Sequence, residues 1–147
     1  MRKPRVLFDT SVLVASLVRA HPFHDPCADW HRKALRSEIV LLVAAHTLLE
    51  LYASLTRLPV RPAIQPSAAT RLIREGVISQ ARTIELDAAE YLRLLDDVCA
   101  LGLAGGVVYD ALIARAAEVA RADLLLTLNP GHFKRVWPEG MDRIRVP

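Results

Sequence analysis

Five short apolar runs alternate along the chain with segments patterned as helices, and this alternation is the strongest constraint on the fold. The runs are RVLF (5–8), EIVLLV (38–43), RTIEL (82–86), DLLLT (123–127) and RIRV (143–146). Helical patterns fill the gaps. TSVLVASLVRA follows the first run, and DPCADWHRKALRS offers Asp25 as N-cap with Pro26 at the first helical position. HTLLELYASLTRL follows the second run, and SAATRLIREG reads as a helix capped by Ser67 and stopped by Gly76. DAAEYLRLLDDVCALG has Asp87 as N-cap, Glu90 three residues later and Gly102 at its end, and VVYDALIARAAEVARA leads into the fourth run. Strands this apolar need cover on both faces, so the pattern predicts a parallel sheet sandwiched by helices. In such sheets ligands bind beyond the carboxyl ends of the strands, where the strand order switches direction. Polar residues at those ends are therefore the ones that matter.

At 147 residues the chain is expected to form a single domain, 1–147. The apolar run after MRKPR is broken by Asp9, and no uncharged run approaches the length of a bilayer span. No secretory or membrane segment is expected, and the location predicted is cytoplasmic. Cys27 and Cys99 lie far apart with no CxxC spacing, so both are expected as free, buried thiols. Sixteen of the nineteen basic residues are arginine, the side chain best suited to phosphate, but a net charge of +3 is mild. Arginine also accompanies the high Ala and Leu content of the chain, so basicity alone decides nothing.

Four polar positions stand at or near strand ends. Asp9 closes the first strand and opens the first helix, where an N-cap is an adequate explanation. Glu50 follows Thr47 by three residues, so TLLE alone reads as a capping box. Asp110 interrupts an otherwise apolar helix, where an unpaired carboxylate is costly. Asn129 precedes Pro130 as an N-cap precedes the first helical residue. Together they say more than singly. Three carboxylates brought close must take up protons or bind a cation, and all-oxygen ligands select a hard divalent ion, magnesium or manganese. Such an ion can activate water and neutralise charge on a phosphoryl oxygen, which points to metal-assisted phosphodiester hydrolysis.

In order and spacing, VLFDTSVLVASL at the start, LLE at 48–50, VYDALIARAAE at 108–118 and LLTLNPGHF at 125–133 resemble the acidic motifs of PIN-domain ribonucleases. The resemblance is nearest to the VapC-type toxins of toxin–antitoxin pairs, and it spans nearly the whole chain. It implies a three-layer α/β/α sandwich around a central parallel five-stranded sheet. It also implies an endoribonuclease dependent on Mg²⁺ or Mn²⁺, acting on structured RNA such as tRNA or rRNA. Homodimers and a cognate VapB-type antitoxin are implied too, with DNA contacted only through that antitoxin. Asp9, Glu50 and Asp110 match the three acidic metal-site positions, and Asn129 matches the fourth. Thr10, Ser11 and Thr127 match small hydroxyl positions beside them, in a supporting role. The family would make Asp9 and Asp110 principal anchors of the ion, Glu50 an orienter of water or a base, and Asn129 a positioner of the attacking water.

Asn129 departs from the family pattern, in which aspartate is common at the fourth position. The amide lowers the formal ligand charge from about −4 to about −3, so a second ion is expected to bind more weakly than the first. The rival reading from another class is a PIN module that binds RNA or an antitoxin without cutting. Retention of all three carboxylates favours the enzyme. His21, His24, Cys27 and His31 fit no zinc spacing and are expected to serve as loop and cap residues. Trp30 and Trp137 are expected to pack rather than to stack on bases. A haloacid-dehalogenase-type phosphatase would need an aspartate where Ser11 stands, and a receiver domain an acidic pair at the first strand's end.

Overall fold

The computed structural model describes residues 1–147. The chain runs β1 (Arg5–Phe8), α1 (Thr10–Leu17), α2 (His24–Leu35), β2 (Val40–Ala44), α3 (Ala45–Arg57) and α4 (Pro66–Ile73). A π-helical turn (Arg74–Ile78) leads to β3 (Ala81–Ile84), α5 (Ala88–Ala100), α6 (Val107–Val119), β4 (Leu124–Leu126) and α7 (Pro130–Val136). A 3₁₀ turn (Pro138–Arg143) then delivers β5 (Ile144–Arg145).

The five strands form one all-parallel sheet in the order β3-β2-β1-β4-β5, as the alternating pattern predicts. Because successive side chains alternate across a strand, the register sends Val6, Phe8, Leu41, Val43 and Leu126 to one face. Leu7, Leu42, Ala44 and Leu125 go to the other. On the first face α1, α2, α3 and α4 close over the sheet with Leu13, Cys27, Leu51, Leu55 and Ile73. On the second face α6 lies close because it presents Ala114, Ala116 and Ala117, with Phe133 of α7 and Trp137 completing the layer. Outside it, α5 packs Leu94 and Val98 on Val107 and Ala111 of α6. Glu90 at the start of α5 accepts from Arg115 Nε of α6 at 2.8 Å, and Arg115 with Arg93 holds its carboxyl down to about 2. The result is a three-layer α/β/α sandwich. No helix is long and apolar enough to cross a membrane.

Strands appear within two residues of the predicted runs, but several helix boundaries differ. Asp25 is not the cap of α2, which begins at His24 after Phe23 and has no side-chain cap. His24 instead donates from Nδ1 to the carbonyl of Ala15 at 2.8 Å, a contact to α1 that starts the helix one residue early. Pro66, not Ser67, opens α4, using its missing N–H where none is needed. Gly76 does not stop the helix, since the chain continues through the π turn to Ile78. A Cβ there would lie 2.9 Å from Leu17 Cδ2, so Gly76 permits close approach to α1. Asp87 does cap α5, accepting from Glu90 N at 2.8 Å. Cys27 and Cys99 are both free, but Cys99 is exposed rather than buried, because it lies on the outer side of α5. Trp137 is buried, and Trp30 is covered by the Lys33 ammonium, 4.0 Å from the ring centroid.

This topology determines where a site can form. From β1 the chain builds outward in both directions, so the switch in strand order falls between β1 and β4. The backbone joins them beyond the last paired residues: Asp9 N donates to Leu126 O at 2.9 Å.

Candidate active site

Asp9 is 6% exposed, and its carboxylate is the hub of the switch point. Oδ1 accepts from Thr10 N at 2.7 Å, the capping role that the sequence suggests. Oδ2 accepts from Ser11 Oγ at 2.8 Å and from Thr127 Oγ1 at 2.9 Å. Each of those hydroxyls is itself oriented by a backbone donor, Leu128 N on Ser11 Oγ at 3.1 Å and Asn129 N on Thr127 Oγ1 at 2.9 Å. With an N–H occupying a lone pair, each hydroxyl turns its proton toward Asp9. The ends of β1 and β4 are thus tied through one carboxylate. The Ser11 N–H adds a further backbone donor that favours the charged form of Asp9. Thr10 contributes through its backbone N–H alone, since its buried hydroxyl has no partner.

Glu50 is freed from the role the sequence suggests. Helix α3 starts at Ala45, Ala44 at the N-cap position makes no side-chain bond, and Thr47 Oγ1 is buried without a partner, so no capping box forms. Glu50 sits in the second turn with Oε1 buried and accepting no hydrogen bond. Burial and the charges of Asp9 and Asp110 push its carboxyl up to about 7. Asp110, half-buried in the first turn of α6, is raised by burial and by Asp9, against the opposing pull of His132 and Arg135. Asp9 is raised as well, its burial outweighing the hydrogen bonds that favour its charged form. Asn129 is exposed after β4, and its side chain makes no capping bond to α7.

The mutual repulsion of Asp9, Glu50 and Asp110 and the absence of a hydrogen bond to Glu50 Oε1 are what a hard cation would relieve, and these three side chains offer oxygen ligands alone. The residues therefore fit a divalent ion. No group of three His, Cys, Asp or Glu side chains is drawn close enough to hold an ion by itself. The histidines near the start of α2 turn to the backbone instead: His31 donates from Nε2 to Gly76 O at 2.6 Å, and His21 Nδ1 accepts from Phe23 N at 3.1 Å.

Four residues at the rim carry no signal in the sequence. His46 stands one turn before Glu50, with Nε2 3.6 Å from Oε1, and its ring stacks on Tyr109 at 4.9 Å between centroids and 7° between planes. His132 Nδ1 lies 3.8 Å from Asp110 Oδ2, and Arg135, one turn further along α7, acts on the same carboxylate. The fold brings His132 and Arg135 to Asp110 and Tyr109 to His46. The spacing of His46 and Glu50 is local, but it marks a shared helix face and not a site.

Comparison with known proteins agrees with this architecture. The PIN domain family profile matches residues 6–137. Ribonuclease VapC27 of Mycobacterium tuberculosis is 36% identical over 124 residues, covering 83% of each chain. Ribonuclease VapC40 of the same organism is 36% identical over 117 residues, covering 80% of this chain and 81% of its own. This chain is a VapC-type PIN domain. Among solved structures, the VapBC2 complex of Rickettsia felis bound to a promoter DNA fragment contains a chain with the same fold. Its TM-score is 0.61 at 21% identity, over 89% of this PIN domain and 92% of that chain. A Pyrobaculum aerophilum protein matches with a TM-score of 0.60 at 22% identity, covering 90% and 79%.

Two measurements follow from the site of this PIN domain. Thr127→Val removes a donor from buried Asp9 and the acceptor of Asn129 N, so urea unfolding at pH 7 should show a loss of about 1–3 kcal/mol. Its effect should be less than additive with Asp9→Asn. A change under about 0.5 kcal/mol would mean the bridge contributes no more than an ordinary surface residue. The second concerns pH. Glu50 binds its proton more tightly in the folded chain than in the unfolded one. Its contribution is therefore fully present below its ordinary value of 4.5 and is lost as pH rises through about 7. Without divalent ions Tm should be higher at pH 5.5 than at 7.5, and saturating Mg²⁺ should remove or reverse the difference. A metal-free Tm that climbs with pH across this window would contradict the assignment. Glu90, held near 2, acts in the opposite direction only at more acid pH.

Proposed function

We propose that residues 1–147 form a single PIN domain that is a divalent-metal-dependent endoribonuclease, the toxin component of a type II toxin–antitoxin system. One observation supports this above the others: Asp9, Glu50 and Asp110 repel one another at the switch point of the sheet, with Glu50 Oε1 buried and accepting no hydrogen bond. Asp9 and Asp110 hold the ion, Mg²⁺ or Mn²⁺. When bound, the ion supplies Lewis-acid activation of water and neutralises charge on the phosphoryl group. Asp9 offers its carboxylate, held in place by the Thr10 N–H and the hydroxyls of Ser11 and Thr127. Glu50 orients the attacking water and receives its proton, a role suited to a carboxyl poised near 7. Asn129 accepts a hydrogen bond from that water through its side-chain carbonyl. Because it adds no charge, the RNA-free protein holds one ion firmly and recruits a second only with the substrate phosphate.

The relatives named ribonucleases support an RNA substrate, and structured RNA such as tRNA or rRNA is the class proposed. The VapBC2 neighbour supports a cognate VapB-type antitoxin as partner, with any contact to DNA made through it. A homodimer and a cytoplasmic location complete the proposal.

Asp110→Asn should lower RNA cleavage by about 100-fold or more, beyond the 10–100-fold that loss of an outer-shell partner costs a metal site. Its metal-free Tm should stay level or rise, because one member of a repelling cluster has been neutralised. Chelation should abolish cleavage, and Mn²⁺ should restore it. Cleavage by Asp110→Asn at the parental rate, or cleavage that survives chelator, would refute the metal-dependent reading, and absence of metal-dependent cleavage by the unaltered chain would leave a module that only binds.

A further inference from the structure

The carboxylate cluster that would hold the ion also repels the polyanion it must cut, so affinity for RNA has to come from groups beside it. Arg135 acts on Asp110, and His132 stands 3.8 Å from it. Beside the same carboxylate stands an uncharged ring. Tyr109 immediately precedes Asp110 on α6, is 48% exposed, and has one face covered by His46 of α3. His46 is held in turn beside Glu50, with Nε2 3.6 Å from Oε1. The stack therefore bridges two helices from opposite faces of the sheet, one residue from one carboxylate and one turn from another.

Other rings are less suited to this task. Trp137, Phe8 and Phe133 are buried, Lys33 covers Trp30, and Phe23, Tyr52 and Tyr91 are exposed but have no parallel ring behind them. A tyrosine already backed by a parallel ring has little rotamer freedom left to lose, which is the condition for a stacking surface that binds at low entropic cost. Base–aromatic stacking tolerates any sequence because every base has a π-face, but it requires a base that is not already stacked and paired within a duplex.

We propose that Tyr109, backed by His46, is the stacking platform for an unpaired base next to the scissile phosphate, so that this protein cuts RNA only where a nucleotide is free to leave its stack. The proposal rests on the ribonuclease reading and names the substrate feature that the site selects. Tyr109 is then a specificity-determining residue. The phosphate occupies the carboxylate side, and the base lies over the exposed part of the ring.

The test combines two kinds of variant on the full chain. Wild type, Tyr109→Phe, Tyr109→Leu and Tyr109→Ala are compared on a short single-stranded RNA by Mn²⁺-dependent cleavage and by fluorescence anisotropy. An abasic nucleotide is then scanned along the RNA. Tyr109→Phe should bind within about twofold of wild type, whereas Tyr109→Leu and Tyr109→Ala should raise Kd and KM about tenfold with kcat retained. At one abasic position wild type should lose the same factor, and Tyr109→Ala should lose nothing further. Unchanged Kd in Tyr109→Leu and Tyr109→Ala would overturn the proposal, and would leave the ring available to an apolar side chain of a protein partner. Independent, multiplying losses from the abasic site and the Tyr109 variant would overturn it as well, since the ring would then act on the fold and not on the base. Absence of cleavage by wild type would refute the ribonuclease reading alone, because the binding arm still decides the stacking.

Discussion

A carboxylate confined between the two central strands governs the rest of the molecule. Asp9 stands where the strand order switches direction, and it joins β1 to β4 by accepting from Ser11 on one side and Thr127 on the other. Two hydroxyls converging on Oδ2 and an N–H on Oδ1 keep a 6%-exposed acid in register at the sheet's edge. Apolar layers on both faces keep Asp9 buried, and the hydroxyl bridge holds it in place. In the proposed function capping and ion binding are two uses of one side chain, and the bonds that end the strand hold its carboxylate in place.

Everything beyond that seam follows from charge. Glu50 and Asp110 approach from α3 and α6, on opposite faces of the sheet, and burial makes their repulsion count. A fold that assembles such a cluster stores an electrostatic demand that protons or a cation must meet. At the rim His132 and Arg135 stand beside Asp110, and the stacked rings of His46 and Tyr109 add a surface of a different kind. Binding of phosphate and binding of base are thereby assigned to different side chains, a separation that suits a protein cutting a polymer whose charge is uniform along its length.

How much of this was legible in the sequence depended on whether the cause was local. The alternation of apolar runs and helices was enough for an α/β sandwich, because a parallel sheet imposes that pattern on the chain directly. Asp87 could be read as a cap because its partner, Glu90 N, is three residues away. Asp25 misled because α2 begins where His24 reaches Ala15 O, a tertiary contact, and Gly76 misled because its smallness serves packing against Leu17. The capping box at Thr47 and Glu50 satisfied every local rule yet does not form. The carboxylate faces other charges and not the helix end, a case in which a local rule fails at a candidate functional site. The stack of His46 on Tyr109 was invisible because sixty residues separate them.

The central claim is that the cluster demands one divalent ion, and titration of Mn²⁺ into the RNA-free protein, followed by calorimetry, tests it most directly. One tight site per chain is expected, lost in Asp110→Asn and joined by a second in Asn129→Asp. No stoichiometric binding, or two equally tight sites in the unaltered chain, would contradict it.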